Sequence, residues 1–241
     1  MVGTRRCSPY GRWVAYELGR KIAACGVTVV SGMAEGIDSR GHWGCLDGGG
    51  NTIAVLGTGV DICFPKSNGQ LYKTIAEKGL LVSEFKPGDR AASWSFPERN
   101  RIISGLSRSV IVVEGAVKSG SMITANLALT QGRDVFAVPG NINQPNSVGV
   151  NMLIRDGAMP ILSIDEAPEL LGIHRHAFED ARVLCSPEEA KLLECAKFSP
   201  GIETELAAYQ CGIAPSDANV LVMAMELKGL IRREGTRMFM V

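Results

Sequence analysis

Short apolar segments rich in β-branched residues alternate with helical stretches through the first 172 residues, and several of the segments run directly into turns of small residues. These turns read Gly3-Thr4-Arg5, Ser31-Gly32-Met33-Ala34-Glu35-Gly36, Gly57-Thr58-Gly59, Ser119-Gly120-Ser121 and Pro139-Gly140-Asn141. Strand-helix alternation of this kind predicts an α/β fold with a doubly wound, mostly parallel sheet. In such a sheet the strand-to-helix turns gather along one edge, where ligands bind. Small residues there leave backbone N–H groups open to an anion, and helix N-termini add partial positive charge. A row of such cradles suits a ligand with several phosphates, a nucleic acid strand or a nucleotide.

The strands are expected at residues 27–30, 52–56, 80–82, 110–113, 135–138 and 160–162, with a very short first strand at 1–2. That first strand is cut short at the start of the chain, so further sequence is expected upstream. Helical patterns cover 10–25, 38–46, 70–78, 121–131 and 147–156; the first carries Val14, Leu18, Ile22 and Cys25 on one face, with Gly26 just beyond. Composition shifts after residue 172. Residues 173–182 read as a linker and 183–241 as a separate small domain. Helices are expected there at 186–198, 203–211 and 216–228, followed by two short runs around a Gly turn. Three small helices and a hairpin are the layout of a winged helix-turn-helix.

A chain of 241 residues, 46% hydrophobic, holds one substantial core and a small second domain. Its 25 basic and 25 acidic residues cancel. That argues against a charge-driven coat on nucleic acid, so any positive charge that binds must be local. The seven cysteines stand singly without a Cys-x-x-Cys pair, and the three histidines complete no zinc spacing. Reduced thiols in a cytoplasmic protein are expected, with no metal and no cofactor. The start is not a signal peptide, and no apolar run is long enough to span a bilayer.

Candidate ligand residues follow from the turns. Gly3, Thr4 and Arg5 end the first strand, and a guanidinium there donates two parallel hydrogen bonds to a phosphate. An ordinary turn with solvated arginines is the alternative. Ser31, Gly32 and Gly36 allow close backbone approach, but the spacing is neither Gly-x-Gly-x-x-Gly nor a Walker loop, so neither a dinucleotide nor ATP hydrolysis is signalled. Asp38, at a helix start, is a cap or a ligand contact. Arg99 and Arg101 straddle Asn100 just before the strand at Val110. Charges so near a buried element need an anionic ligand or an ion pair, with Glu84 or Glu114 as partners. Lys118, Ser119, Gly120, Ser121 and Thr124 place donors at a helix N-terminus. Lys66 adds a further phosphate contact or a solvated loop charge.

These residues also carry a family resemblance. Val2-Gly3-Thr4-Arg5, Ser31-Gly32-x-Ala34-x-Gly36-Ile37-Asp38, Ala54-Val55-Leu56-Gly57, Phe96-Pro97-x-Arg99-Asn100-Arg101-Ile102-Ile103-Ser104-Gly105-Leu106-Ser107, Ser119-Gly120-Ser121-x-Ile123-Thr124-Ala125 and Val138-Pro139-Gly140 resemble, in order and spacing, the DNA-processing protein A family (DprA, also called Smf) of bacteria. The likeness covers nearly all of 1–172, and the tail resembles the winged-helix domain of many members. It implies an extended Rossmann-like sheet that dimerises, binds single-stranded DNA, protects incoming strands in natural transformation and helps load the RecA recombinase, with no chemical step required. By position it implies that Arg5 holds a phosphate, that the 31–38 and 119–124 turns line the same pocket, that Arg99, Asn100 and Arg101 shape its floor, and that Lys66 sits at a loop position that can be basic. Aromatic residues make up only 6% of the chain, which leaves Phe64, Phe85 and Trp94 as candidates for base stacking.

Two other functions compete. A LOG-type nucleoside monophosphate phosphoribohydrolase uses Pro-Gly-Gly-x-Gly-Thr-x-x-Glu, whose final Glu does the chemistry. Here Thr124 stands at that place and the Pro-Gly-Gly is missing, and a threonine cannot serve as a carboxylate. An adaptor that reads duplex DNA through the tail would use Lys228, Arg232, Arg233 and Arg237. Glu226 and Glu234 sit among them, and 216–226 carries no Arg, Lys or Gln to reach base edges.

Overall fold

The computed structural model describes residues 1–172, 185–199, 201–228 and 230–240. The chain divides into two compact units, Met1–Ile173 and His174–Val241. The linker expected at 173–182 lies outside the described residues.

In the first unit the described helices are α1 (Pro9–Ala24), α2 (Ile37–Asp47), α3 (Gly69–Lys78), α4 (Ser95–Gly105), α5 (Gly120–Thr130), α6 (Pro145–Arg155) and the one-turn α7 (Ala167–Leu170). The strands are β1 (Val29–Ser31), β2 (Thr52–Val55), β3 (Leu80–Val82), β4 (Ser109–Val112), β5 (Asp134–Ala137) and β6 (Met159–Pro160). They form two parallel triplets, β1-β2-β3 and β4-β5-β6. Residues 1–2 join the triplets. Val2 bridges Val112 in parallel, Val2 N–H donates to Ile111 O at 2.9 Å, and the Met1 amine donates to Val30 O at 2.8 Å. The short first strand is thus a single bridge at the centre of the sheet.

The strands alternate between two cores, as a period of two requires. Ile111, Val113, Phe136 and Val138 face one side with Val14, Leu18 and Ile22 of α1. Val110, Val112, Val135 and Ala137 face the other with Ile103 of α4, Ala125 and Ala128 of α5, and Val150 of α6. Helices cover both faces, which makes the sheet doubly wound. Burying Leu18 or Ile103 contributes roughly 1.5–3 kcal/mol each.

α4 falls on a stretch for which the sequence offered no helical pattern. Its inward face is Arg99, Asn100, Ile103 and Ser104, so the helical period is there but is written mostly in polar residues. Pro97 falls in the first turn, where a missing N–H costs nothing.

The second unit holds α8 (Pro187–Phe198), α9 (Thr204–Cys211) and α10 (Pro215–Leu227), with a three-stranded antiparallel sheet in the order β7 (Ile202–Glu203), β9 (Arg237–Met240), β8 (Ile231–Glu234). Ser186 and Glu189 close a capping box on α8. Leu192, Ala207, Val222, Met225, Ile231 and Met238 form the core. Packing brings the Cys195 and Cys211 thiols to 3.2 Å. Among the described residues, no helix is long and apolar enough to cross a membrane.

Candidate functional site

Strand order reverses across residues 1–2: the chain first builds outward through β1, β2 and β3, then returns to β4 on the other flank. The crevice beyond the carboxyl ends of 1–2 and β4 is therefore the switch point of the sheet, the place where α/β folds bind ligands. A cavity of about 470 Å³ opens there. Gly3, Thr4, Arg5, Arg99, Asn100, Ser119, Gly120, Ser121 and Thr124 all line it. Loops and helix starts that are far apart in sequence converge because every strand of this unit points the same way.

The 3–6 loop is held on three sides. Thr4 N–H donates to Glu114 O at 2.8 Å, Ile37 N–H donates to Thr4 O at 3.3 Å, and Asn146 Nδ2 donates to Arg6 O at 2.9 Å. Gly36 lies directly beneath it at φ +80°, and a Cβ there would meet Thr4 O at 2.4 Å. A rigid backbone thus presents Arg5 and Arg6 to solvent, and among the described residues neither forms an ion pair. The Arg5 guanidinium lies 5.3 Å from the Phe96 ring centroid, and Phe96 in turn packs on Phe64 at 5.3 Å. The aromatic column holds the guanidinium in place without neutralising it.

Arg99 forms the floor. It is buried, and Nη1 donates to Gly32 O at 2.8 Å and to Val55 O. Its Nε has no protein partner. Burial lowers the guanidinium to about 10, with the Asp38 carboxylate opposing the shift, so it stays charged at neutral pH. Burial raises the Asp38 carboxyl above its ordinary 3.8, against the pull of Arg99 and of backbone N–H groups at Ala34 and Gly32. Gly32 N–H donates to Asp38 Oδ2 at 3.2 Å. Across from Arg99, α5 begins at Ser119 with no side-chain cap. The Ser119 and Ser121 hydroxyls bond each other at 2.7 Å, and the buried Thr124 donates to Gly120 O at 3.3 Å. The lining carries three guanidiniums, Arg5, Arg6 and Arg99, against one carboxylate, Asp38. Glu114 is turned away: it accepts from Ser8 N–H at 2.9 Å and from the Ser8 hydroxyl, at the N-terminus of α1.

Six expected residues do not line this cavity. Ser31 is buried and donates to Met1 O at 2.6 Å. Gly32 is spent on Asp38 and Arg99, and a Cβ there would lie 2.6 Å from Arg99 Nη2. Gly36 props the 3–6 loop. These three shape the site from behind, because the amides of the 31–36 turn close on Asp38. Arg101 pairs with Glu84 in the open. Successive helix residues diverge by about 100°, so Arg99 and Arg101 cannot share a target. Lys66 and Lys118 are exposed, Lys66 in a 3₁₀ turn (Lys66–Asn68). Conversely, Arg6, Phe96 and Asn146 line the site without having been singled out. Arg6 and Phe96 stand inside or beside the quoted motifs. Asn146, from the start of α6, had no local signal. Phe85, expected as a stacking surface, packs edge-on against Trp94 at 5.8 Å.

A parallel, doubly wound sheet with a cation-lined cavity at its switch point defines a Rossmann-like α/β protein. Residues 1–172 match the family described as DNA recombination-mediator protein A, and the chain belongs to that family, known by the names DprA and Smf. It is 45% identical over 171 residues to the DNA processing protein DprA of Bacillus subtilis, covering 71% of this chain and 58% of that protein. It is 44% identical to the DprA of Streptococcus pneumoniae over 68% of this chain and 57% of that one. The chain thus spans less than two thirds of either relative. Among solved structures it superposes on the S. pneumoniae DprA with a TM-score of 0.65, 42% identity, and coverage of 70% of this chain and 59% of that chain. It superposes on DNA processing protein A of Helicobacter pylori, described for its unique single-stranded DNA binding mode, with a TM-score of 0.66, 33% identity, and coverage of 70% and 77%.

Proposed function

We propose that this chain binds single-stranded DNA at the switch-point cavity and performs no chemical step on it. The observation that carries the reading is the unpaired cationic rim: Arg5 and Arg6 exposed on a braced loop, Arg99 beneath with an unpartnered Nε, and the uncapped start of α5 opposite. Guanidiniums and helix N-terminal amides bind phosphate oxygens irrespective of base. A single strand can thread a cleft of this size, whereas a duplex presents its phosphates on a wider, stiffer surface. The relatives named DprA and the H. pylori structure support the same ligand.

By the same kinship we read the protein as a mediator in natural transformation that helps load RecA on single-stranded DNA. We read it as a cytoplasmic homodimer, in which two cavities hold one strand with gain from effective concentration. The second unit is read as a winged-helix domain that packs or contacts protein rather than duplex DNA. A phosphoribohydrolase is the poorer reading. Thr124 supplies a hydroxyl already bonded to Gly120 O, and the lone carboxylate of the lining, Asp38, is tied to loop amides. The test is fluorescence anisotropy with labelled oligothymidylate against a matched duplex, alongside release of free base from AMP or CMP. Preference for the single strand with no base release supports the proposal. Equal affinity for duplex, or base release, refutes it.

A further inference from the structure

Beyond the cavity, on the outer face of α1 and α2, Arg12, Trp13, Tyr16 and Arg40 surround a second depression of about 410 Å³. Trp13 is 56% exposed, a large aromatic surface open to water. Among the described residues neither Arg12 nor Arg40 forms an ion pair. Of the nearby carboxylates, Glu17 pairs with Arg20 at 2.7 Å, and Asp47 accepts from the hydroxyl of Tyr16 in the lining at 2.8 Å and pairs with neither Arg12 nor Arg40.

The depression and the cavity share their supports. Arg12 N–H donates to Ser8 O, so Arg12 is one turn from the residue that ends the 3–8 loop. Arg40 N–H donates to Gly36 O, and Gly36 is the residue wedged under Thr4 and Arg5. One turn of helix rises only about 5.4 Å. The depression therefore starts within about one helical turn of the residues that hold the Arg5–Arg6 loop, and Trp13 lines it together with Arg12 and Arg40.

We propose that this patch is a second contact for the same single strand, in which a base stacks on Trp13 while Arg12 and Arg40 take flanking phosphates. The inference rests on the proposed binding of single-stranded DNA at the switch point. Its support is charge complementarity together with chemistry. Unpaired guanidiniums on a chain of zero net charge form a local polyanion site. An exposed aromatic face in the same depression is what sequence-tolerant stacking requires. In the cavity the half-buried Phe96 ring already carries Arg5 and packs on Phe64, so Trp13 offers the more open aromatic surface of the two.

The test compares a short oligothymidylate of roughly four nucleotides, which the cavity alone can hold, with one of about sixteen, which can reach the patch. The variants are the Arg12→Ala, Trp13→Ala, Arg40→Ala triple, the Arg12→Gln, Arg40→Gln pair and Trp13→Phe alone. Arg12 and Trp13 are exposed and Arg40 is half-buried, and thermal unfolding checks that the fold is kept. The triple variant is expected to lose about five-fold or more in affinity for the long strand and nothing for the short one. The salt slope of the pair on the long strand should flatten by about 1.4, from two phosphate contacts at about 0.7 each. Trp13→Phe should keep most of the long-strand affinity, because a phenyl face still stacks. Unchanged long-strand affinity in the triple variant overturns the inference and points to a protein partner for this face. Equal losses on both strands also overturn it. Failure of the wild-type protein to bind either strand is a different result, which removes the proposed function itself.

Discussion

The switch-point rim and the β8–β9 hairpin are both rich in basic residues in sequence, yet they carry different amounts of usable charge. At the rim, Arg5 and Arg6 project from a loop fixed by backbone bonds and have no carboxylate partner among the described residues. Around the hairpin three of the four cations are committed, Lys228 to Glu189, Arg232 to Glu234 and Arg233 to Glu226, and among the described residues only Arg237 of the four forms no ion pair. The nearby helix α10 exposes Val220, Met223 and Leu227 along one side rather than cations. Counting basic residues does not locate a polyanion site; what matters is which guanidiniums the fold leaves uncommitted.

Several substitutions sharpen this contrast, and the largest effect belongs to the floor of the site. Arg99→Ala removes a buried donor from two carbonyls and leaves Asp38 without its guanidinium. It should destabilise the chain by about 2–5 kcal/mol and abolish strand binding. Denaturant unfolding together with anisotropy reads both, and a fully stable, binding-competent variant would break the account of the cavity floor. Arg5→Ala leaves the loop braced by Thr4 and Arg6 backbone bonds, so stability should hold while strand affinity falls by about 1–3 kcal/mol.

The second unit should respond to pH rather than to DNA. Burial disfavours the Glu189 charge, but bonds from Lys228 and from the Ser186 backbone outweigh it, so its carboxyl sits below the ordinary 4.5. A lowered folded value means the stabilisation is complete above that ordinary value and fades as pH falls through the folded one. Glu189→Ala should cost this unit about 1 kcal/mol at neutral pH through the lost capping box. That difference from wild type should shrink on acidification, which thermal melts of the full chain at several pH values would follow. The smallest effect is expected at the hairpin, where Arg232→Ala with Arg233→Ala should change strand affinity by less than about 0.5 kcal/mol. A larger loss would mean the hairpin touches DNA.

Much of this was legible in the sequence. Six apolar runs became the strands β1–β6 within a residue or two; the inner strands are continuous apolar runs because both their faces are buried, while β3 and β6, at the ends of their triplets, are only partly buried. The cavity's main contributors, Gly3 to Arg5, Arg99, Asn100 and Ser119 to Thr124, were visible as strand-end turns and a charged motif. The misreadings have two causes: a buried face written in polar residues, and contacts that only the fold creates. α4 shows the core a face of Arg and Asn, so hydrophobic period does not report it. The amides of the 31–36 turn looked open to a ligand, and only the fold reveals that Asp38 closes them. Arg101 takes the ion-pair alternative the sequence offered, with Glu84 as its partner, whereas the packing of Phe64 on Phe96 joins residues 32 positions apart, which no local pattern encodes.

The most direct measurement is the salt dependence of oligothymidylate affinity for the wild-type protein and for Arg5→Ala. If uncommitted guanidiniums at the switch point grip the phosphates, affinity falls steeply with salt and the variant's log–log slope is shallower by about 0.7. Identical slopes and affinities for the two proteins would contradict the account.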